Sequence, residues 1–206
     1  MSFNIDDFSS LLPPELTSQK KRRLNDALKQ FHSDNKNQKY YTDFYSSNNY
    51  SYFLQGDLIY QLRFPQWDSK NSCFEKVYHD VILISNTCDM DESNPRDIPK
   101  QVMIAKLIDL QIFHDSLKEL EIDPDPVISN VKNQQFSNLI YLPSASNNVE
   151  YIAYLDEISS ISIYELMSLK SDIYSNRIAV LDHFGYYLFI FKLSYHLNRL
   201  PEEIHR

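Results

Sequence analysis

The pattern of a β-strand begins at residue 56, with the sequence Gly56-Asp57-Leu58-Ile59-Tyr60-Gln61-Leu62-Arg63-Phe64. Apolar and polar residues alternate after the turn-forming Gly-Asp pair, as in a strand with one buried face. A polar loop around residues 67–71 is followed by a continuous apolar run, Val81-Ile82-Leu83-Ile84, which is typical of a strand buried on both faces. These two segments predict the start of one small antiparallel sheet.

Hydrophobic spacing extends this plan in both directions. Further strands are predicted over residues 102–108, 139–142, 151–155 and 158–163, and a helix over residues 110–120 that Pro124 ends. A basic amphipathic helix is predicted over residues 14–32, and a long, largely buried helix begins after Asp182 and stops at Pro201. The sequence therefore predicts an α+β fold with helices before, within and after the sheet.

Composition excludes several classes of protein. The chain has 206 residues, a formal net charge of -8 and 14% aromatic residues, which is too apolar and aromatic for an intrinsically disordered chain. Its two glycines, at positions 56 and 185, exclude the glycine-rich loops that hold phosphate. Residues 18–40 carry a net charge of +5 and the rest of the chain carries -13. The basic segment predicts a patch for nucleic acid or a partner, centred on Lys20, Lys21, Arg22 and Arg23.

The predicted compartment is the cytoplasm. No basic segment followed by an apolar stretch opens the sequence, and the longest apolar runs are far shorter than the ~20 residues that cross a bilayer. Cys73 and Cys88 are the two cysteines, and their setting does not suggest an exported disulfide scaffold. We therefore expect reduced thiols and no membrane contact.

Four features follow one another in a recognisable order. They are Gly56-Asp57 with two aliphatic residues after it, the run from Val81 to Ser85, the strand over residues 102–108, and the segment from Tyr151 to Ser159. In this order they resemble the MazF/PemK family, whose members are small SH3-like barrels and in many cases ribonuclease toxins. The resemblance implies a small, strongly curved antiparallel SH3-like barrel over residues 54–206, with a helical insert near residues 109–136. Residues 1–53 are predicted to form the N-terminal basic helix and a linker rich in Tyr and Asn.

The catalytic positions of that family have changed type in this chain. His79-Asp80 stands where the toxin pattern has an Arg-Pro pair, whose arginine stabilises charge on the phosphodiester. A histidine can act as a general acid or base near neutral pH, and Arg63 could replace the missing arginine. A metal-independent endoribonuclease with a rebuilt site would therefore use His79, Arg63, Ser85 and Cys88.

A polar loop after the apolar run is a second candidate site, with the sequence Ser85-Asn86-Thr87-Cys88-Asp89-Met90-Asp91. Loops that follow a buried strand commonly present functional side chains. The predicted binding residues are Asn86, Thr87, Asp89 and Asp91. Cys88 would be a nucleophile if a base such as His79 activated it. The loop begins like a calcium loop but has Asn94 and Lys100 where the template needs Gly and Glu, so no metal or cofactor is predicted.

These observations favour a protein that acts by binding, because the family's order of elements is kept while its catalytic residue types are replaced. The resemblance implies a toxin–antitoxin or phage-defence system as the setting. A protein partner is predicted, and RNA and a homodimer stay open as further partners. The alternatives are the rebuilt endoribonuclease and, third, a Cys88-dependent hydrolase or transferase.

Overall fold

The computed structural model describes residues 18–19, 21–22, 44–91, 93–94, 100–145 and 147–197. Its strands are β1 (Leu58–Asp68), β2 (Cys73–Leu83), β3 (Gln101–Asp109), β4 (Leu139–Leu142), β5 (Tyr151–Ser162) and β6 (Arg177–Ala179). Its helices, beside two short 3-10 turns at Thr87–Asp89 and Lys170–Asp172, are α1 (Leu110–Glu119), α2 (Pro124–Lys132), α3 (Ile163–Met167), α4 (Ile173–Asn176) and α5 (His183–Leu197). None of the helices in these ranges has the length and apolar character needed to cross a lipid bilayer.

Most of the predicted basic helix lies outside the described residues. Residues 18–19 and 21–22 are helical, in agreement with the prediction, and Arg22 is exposed. Lys20 and Arg23 belong to the part of the chain that is not described, so the basic patch stays a prediction.

The six strands form one sheet in the order β4-β5-β3-β2-β1-β6, and every neighbouring pair is antiparallel. β4 and β6 are its two edges, and in the described ranges they do not pair with each other, so the sheet is open. The predicted closed, strongly curved SH3-like barrel is therefore wrong, although the α+β class agrees with the sequence. Closure fails because a barrel needs its first and last strands to pair, and here β6 is three residues long and, in the described ranges, pairs with β1 alone.

Both faces of the sheet are covered, which explains the continuous apolar run. Ile82 and Ile84 belong to the core that α5 completes with Phe184, Leu188 and Phe189. Val81 and Leu83 belong to the opposite core, which includes residues of α3. All four residues of the run are buried, so the prediction of a strand buried on both faces is confirmed. Phe44 and Phe53, from the predicted linker, are also buried in these cores.

The insert near residues 109–136 contains two helices. Asp109 caps α1 by accepting the Gln111 N–H at 2.7 Å, and Asp123 caps α2. Pro124, predicted to end the first helix, instead opens the second, where its missing N–H costs nothing. The two predicted strands over residues 151–163 form the single strand β5, because a register shift opposite Ala105 lets residues 155–157 bulge.

A buried ion pair joins β6 to the turn before β1. The Asp57 carboxylate is fully buried, lies 2.8 Å from the Arg177 guanidinium and accepts the Leu54 N–H at 2.9 Å. Burial raises the pKa of Asp57 to about 7, and both contacts oppose that rise. Arg177 also donates to the carbonyl oxygens of Tyr50 and Tyr52, so it attaches the segment before β1 to the sheet.

A buried lysine connects α5 to the end of the insert. The Lys192 ammonium donates to the carbonyl oxygen of Gln134 at 3.0 Å and to that of Phe136. The Gln134 side chain in turn pairs with both backbone groups of Tyr141 in β4, at 2.7 and 3.1 Å. Burial lowers the pKa of Lys192 to about 7, since a charged amine is costly to desolvate. The predicted long closing helix is thus present and is held through a polar as well as an apolar contact.

Candidate functional site

The structure separates the residues of the predicted rebuilt catalytic site, Arg63, His79, Ser85 and Cys88. His79 pairs with Leu62, one position before Arg63, so the side chains of Arg63 and His79 alternate onto opposite faces of the sheet. Ser85 and Cys88 come after the other end of β2. β2 ends at Leu83. Because a strand rises about 3.3 Å per residue, His79 is about 13 Å from that end, and Ser85 and Cys88 lie beyond it. These four side chains therefore do not form one site.

Ser85 and His79 each have structural contacts of their own. Ser85 is buried and its hydroxyl accepts the Met103 N–H at 2.8 Å, which fixes the chain after β2 against β3. The His79 ring lies 3.2 Å from the Gln66 amide oxygen and packs edge-on against Phe64. Partial burial lowers the pKa of His79, and the charge of Lys106 lowers it further, so a neutral imidazole is favoured.

The predicted binding residues of the loop after β2 shape a turn. The Asn86 side chain accepts the Cys88 N–H at 2.9 Å, and the Asp89 N–H donates to the Asn86 carbonyl oxygen. The Thr87 hydroxyl accepts the Gln55 N–H at 3.0 Å. Asp91 accepts the Ser93 N–H at 2.8 Å, and this contact lowers the pKa of Asp91. Cys88 is exposed at this turn as a free thiol.

β1 and β2 extend together beyond the rest of the sheet as a two-stranded ribbon. We define the ribbon as residues 62–68 of β1 and residues 73–79 of β2. β6 pairs with β1 only at residues 58–59, and β3 pairs with β2 only at residues 81–83, so among the described residues the two ribbon strands pair only with each other. The ribbon therefore extends beyond the rest of the sheet, and its base packs on the core through the buried side chains of Leu62 and Phe64.

The base of the ribbon is fixed by hydrogen bonds. A bulge in β1 places Gln61 at a φ of 44°, and the Asp80 carboxylate accepts both the backbone N–H and the side-chain amide of Gln61. The Tyr151 hydroxyl, from β5, donates to the other carboxylate oxygen of Asp80 at 3.0 Å. These bonds hold the direction in which the ribbon leaves the sheet.

One face of the ribbon is aromatic and cationic. Alternation places six residues on it, and we call them the aromatic face: Arg63, Pro65, Trp67, Phe74, Lys76 and Tyr78. The exposed fractions of Trp67, Phe74 and Tyr78 are 53%, 72% and 55%. Trp67 and Phe74 pack edge to face with their ring centroids 5.2 Å apart, and the Arg63 Nε donates to the Tyr78 hydroxyl at 3.2 Å. Trp67 and Phe74 therefore form one exposed apolar patch, and Tyr78 packs beside Arg63 nearer the base of the ribbon.

A cleft with charged residues lies beside the insert. Its volume is about 340 Å³, and its lining includes Asp109, Gln111, His114, Lys132, Asn148 and Glu150. One oxygen of Glu150 lies 3.0 Å from the Lys132 ammonium, and the other accepts the Tyr141 hydroxyl. The central charges of the cleft thus satisfy each other, and they join α2 to the start of β5.

At the ribbon tip, Asp68, Cys73 and Glu75 bring three atoms of metal-ligand type within 4.8 Å. Asp68 already accepts the Lys70 N–H at 2.8 Å and a hydrogen bond from Asn71, which close the turn and lower the pKa of Asp68. This group is explained by the turn, and exposed acidic residues are common at such turns.

No protein-family model matches the chain, and no curated protein matches it significantly in sequence. Membership of the MazF/PemK family therefore stays a prediction. The aromatic face is the feature that sequence reasoning missed, because residues 67–71 were assigned to a polar loop. The alternating pairs Trp67–Phe74 and Arg63–Tyr78 become visible only once the register of the two strands is known.

Proposed function

We propose that the protein acts by binding a protein partner, and that the aromatic face of the ribbon is the surface that contacts it. The observation that carries this proposal is the exposure of Trp67, Phe74 and Tyr78 on one face of a ribbon that extends beyond the rest of the sheet. Trp, Tyr and Arg are the residues that contribute most to binding energy at protein interfaces. Contact with a partner would remove these three exposed rings from water, which stabilises the complex.

The charge of the aromatic face favours an acidic partner. Of its six residues two are cationic, Arg63 and Lys76, and none is acidic. The Arg63 Nε lies 3.9 Å from the Glu165 carboxylate of α3, so part of the charge of Arg63 is compensated within the chain and Lys76 is the main cation offered to a partner. The acidic residues of the ribbon, Asp68 and Glu75, alternate onto the opposite face. Complementary charge across an interface steers association and excludes partners of the wrong sign.

Single-stranded RNA is the competing partner, because bases stack on exposed aromatic rings. A protein is favoured because two cations on the aromatic face provide few phosphate contacts. The toxin–antitoxin or phage-defence setting, the cytoplasmic location and a homodimer remain predictions, and the reading frames beside the gene are the simplest check on the setting.

Photo-crosslinking in the cells that make the protein tests the proposal. We expect a benzoylphenylalanine at position 78 to form a protein adduct that the same residue at position 174 does not form. Tyr78 and Tyr174 are matched, since both are tyrosines with exposed fractions of 55% and 58%. The partner identified by mass spectrometry, once purified, should bind the Trp67→Thr/Phe74→Thr variant at least tenfold more weakly, by calorimetry, than the wild type.

The control for that experiment is Tyr174→Thr, which should change the dissociation constant less than twofold. Threonine is chosen because it keeps strand propensity, and circular dichroism checks that the fold is unchanged. An adduct with RNA, an adduct formed equally from both positions, or unchanged affinity of the double variant would contradict the proposal.

A second experiment separates binding from catalysis. Purified protein incubated with a long single-stranded RNA should give no specific cleavage, because Arg63, His79, Ser85 and Cys88 do not meet. Gel analysis of end-labelled RNA measures this directly. Cleavage at defined positions that His79→Ala abolishes would show that the rebuilt endoribonuclease is the correct alternative.

A further inference from the structure

We propose that the partner contributes an extended segment that adds to the outer edge of β2 as a new strand. This inference rests on the proposed function and states how the partner binds to the ribbon. Residues 73–79 of β2 pair with β1 on one side, and on the other side no strand pairs with them in the described ranges. An open strand edge presents unpaired N–H and C=O groups that another chain can use.

The hydrogen bonds at the end of β2 show which residues present these groups. The Leu83 N–H donates to the Asp57 carbonyl oxygen, toward β1, and the Ile84 N–H donates to the Met103 carbonyl oxygen, toward β3. Successive residues of a strand direct their backbone groups to opposite sides. The bulge lies in β1, so this alternation continues along β2 without interruption. The backbone N–H and C=O groups of Phe74, Lys76 and Tyr78 therefore point toward the outer edge of β2.

The other edge of the ribbon is closed by a proline. Pro65 pairs with Lys76, so its nitrogen points away from β2 toward the outer edge of β1. A proline nitrogen has no hydrogen to donate, and prolines occur in sheets at such edge positions. The ribbon is therefore asymmetric: β1 lacks a donor at the centre of its edge, whereas β2 has three.

The side chains at the open edge specify the sequence of the added strand. Phe74, Lys76 and Tyr78 belong to the aromatic face, so an added strand places one side chain beside Lys76 and its second neighbours beside the two rings. An acidic residue stabilises the first position, and β-branched or aromatic residues stabilise the other two. A lysine on an edge strand also disfavours non-specific pairing with strands of other sequences. The N-terminal segment of residues 18–40, with a net charge of +5, has the wrong sign for this edge.

Amide hydrogen exchange of the free protein gives the first test. We expect the amides of Phe74, Lys76 and Tyr78 to exchange at least tenfold faster than those of Glu75 and Val77, measured by NMR. If all five amides were equally protected, the edge would already be covered by this chain or by a second copy, and strand addition would be wrong.

A synthetic peptide gives the second test, with the sequence acetyl-Thr-Val-Thr-Glu-Thr-Val-Thr-amide. It should shift the amide signals of Phe74, Lys76 and Tyr78, and the version with Lys in place of Glu should bind at least fivefold more weakly. Lys76→Pro should abolish binding while Lys76→Thr retains it. Both variants lose the charge, but only the proline variant loses the outward N–H.

A change in the peptide provides a readout that leaves the protein intact. N-methylation of one alternate set of peptide nitrogens should abolish binding, and N-methylation of the other set should not. Equal binding by Lys76→Pro and Lys76→Thr, or no shift at the edge, would overturn strand addition.

The purified partner separates the two proposals. If it binds Lys76→Pro as well as Lys76→Thr but loses affinity for Trp67→Thr/Phe74→Thr, the aromatic face alone is the contact surface. If it binds the double variant unchanged, the proposed function is wrong.

Discussion

Replacing Arg177 with methionine is expected to lower the free energy of unfolding by about 3–5 kcal/mol at pH 8, the usual cost of removing one partner of a buried ion pair. Arg177 lies 2.8 Å from Asp57, and the two side chains are 5% and 0% exposed. Methionine keeps the apolar stem but leaves the carboxylate buried, with the Leu54 N–H as its remaining hydrogen-bond donor among the described residues. The carbonyl oxygens of Tyr50 and Tyr52 also lose the Arg177 guanidinium.

The cost of Arg177→Met should depend on pH. Burial raises the pKa of Asp57 from 3.8 to about 7, so the stability that this group contributes is complete below 3.8 and is lost as the pH rises through 7. The charge of Arg177 lowers this pKa, so its removal raises the pKa further. At pH 5 Asp57 is protonated in both proteins and no carboxylate is buried as an anion. Urea unfolding at pH 5 and pH 8 should therefore show a smaller cost at pH 5.

The double variant Asp57→Asn/Arg177→Met is the control. It removes both charges, and an asparagine oxygen can still accept the Leu54 N–H. We expect it to recover at least half of the stability lost in Arg177→Met at pH 8, because partners in contact are not additive. A cost below about 1 kcal/mol for Arg177→Met, or a double variant whose loss equals the sum of the single losses, would contradict this account.

The sequence predicted the strands that are largely buried. Residues 81–83 and 139–142 are apolar throughout, and both segments lie in strands, β2 and β4. The two-residue period of β1 was recognised only as far as Phe64, because beyond it the exposed Trp67 breaks the alternation of apolar and polar residues. Hydrophobic pattern reports burial, so an exposed ribbon with aromatic residues gives no such pattern.

The spacing of residues along the sequence does not predict contacts between distant segments. Asp57 was recognised as part of a turn, but its partner Arg177 comes from a three-residue strand 120 positions later. The same short strand decides between an open sheet and a barrel, since it ends the sheet at β1 instead of closing it onto β4. The resemblance to the MazF/PemK family predicts one site for Arg63, His79, Ser85 and Cys88, yet alternation and strand length separate their side chains.

Replacing Lys192 with methionine is expected to remove a rise in stability of about 2 kcal/mol between pH 7 and pH 9. Lys192 is 1% exposed, and burial lowers its pKa from 10.5 to about 7. Between these two values the unfolded chain binds a proton that the folded protein does not bind. Stability therefore rises with pH through this window, because the folded state avoids burying the charged amine. Methionine has a similar length and no proton to release.

Urea unfolding of the wild type and of Lys192→Met at pH 7, 8 and 9 measures this difference. The difference between the two free energies of unfolding should move in favour of the wild type at each step, and somewhat more between pH 8 and pH 9, where the folded protein has already released the Lys192 proton. Lys118→Met is the matched control, since it removes the same charge from an exposed position on α1 and should leave the pH dependence unchanged. A constant difference between wild type and Lys192→Met across the three pH values would mean that Lys192 stays charged when folded. The carbonyl oxygens of Gln134 and Phe136 would then stabilise the buried ammonium fully, and the link between α5 and the insert would be ionic at neutral pH.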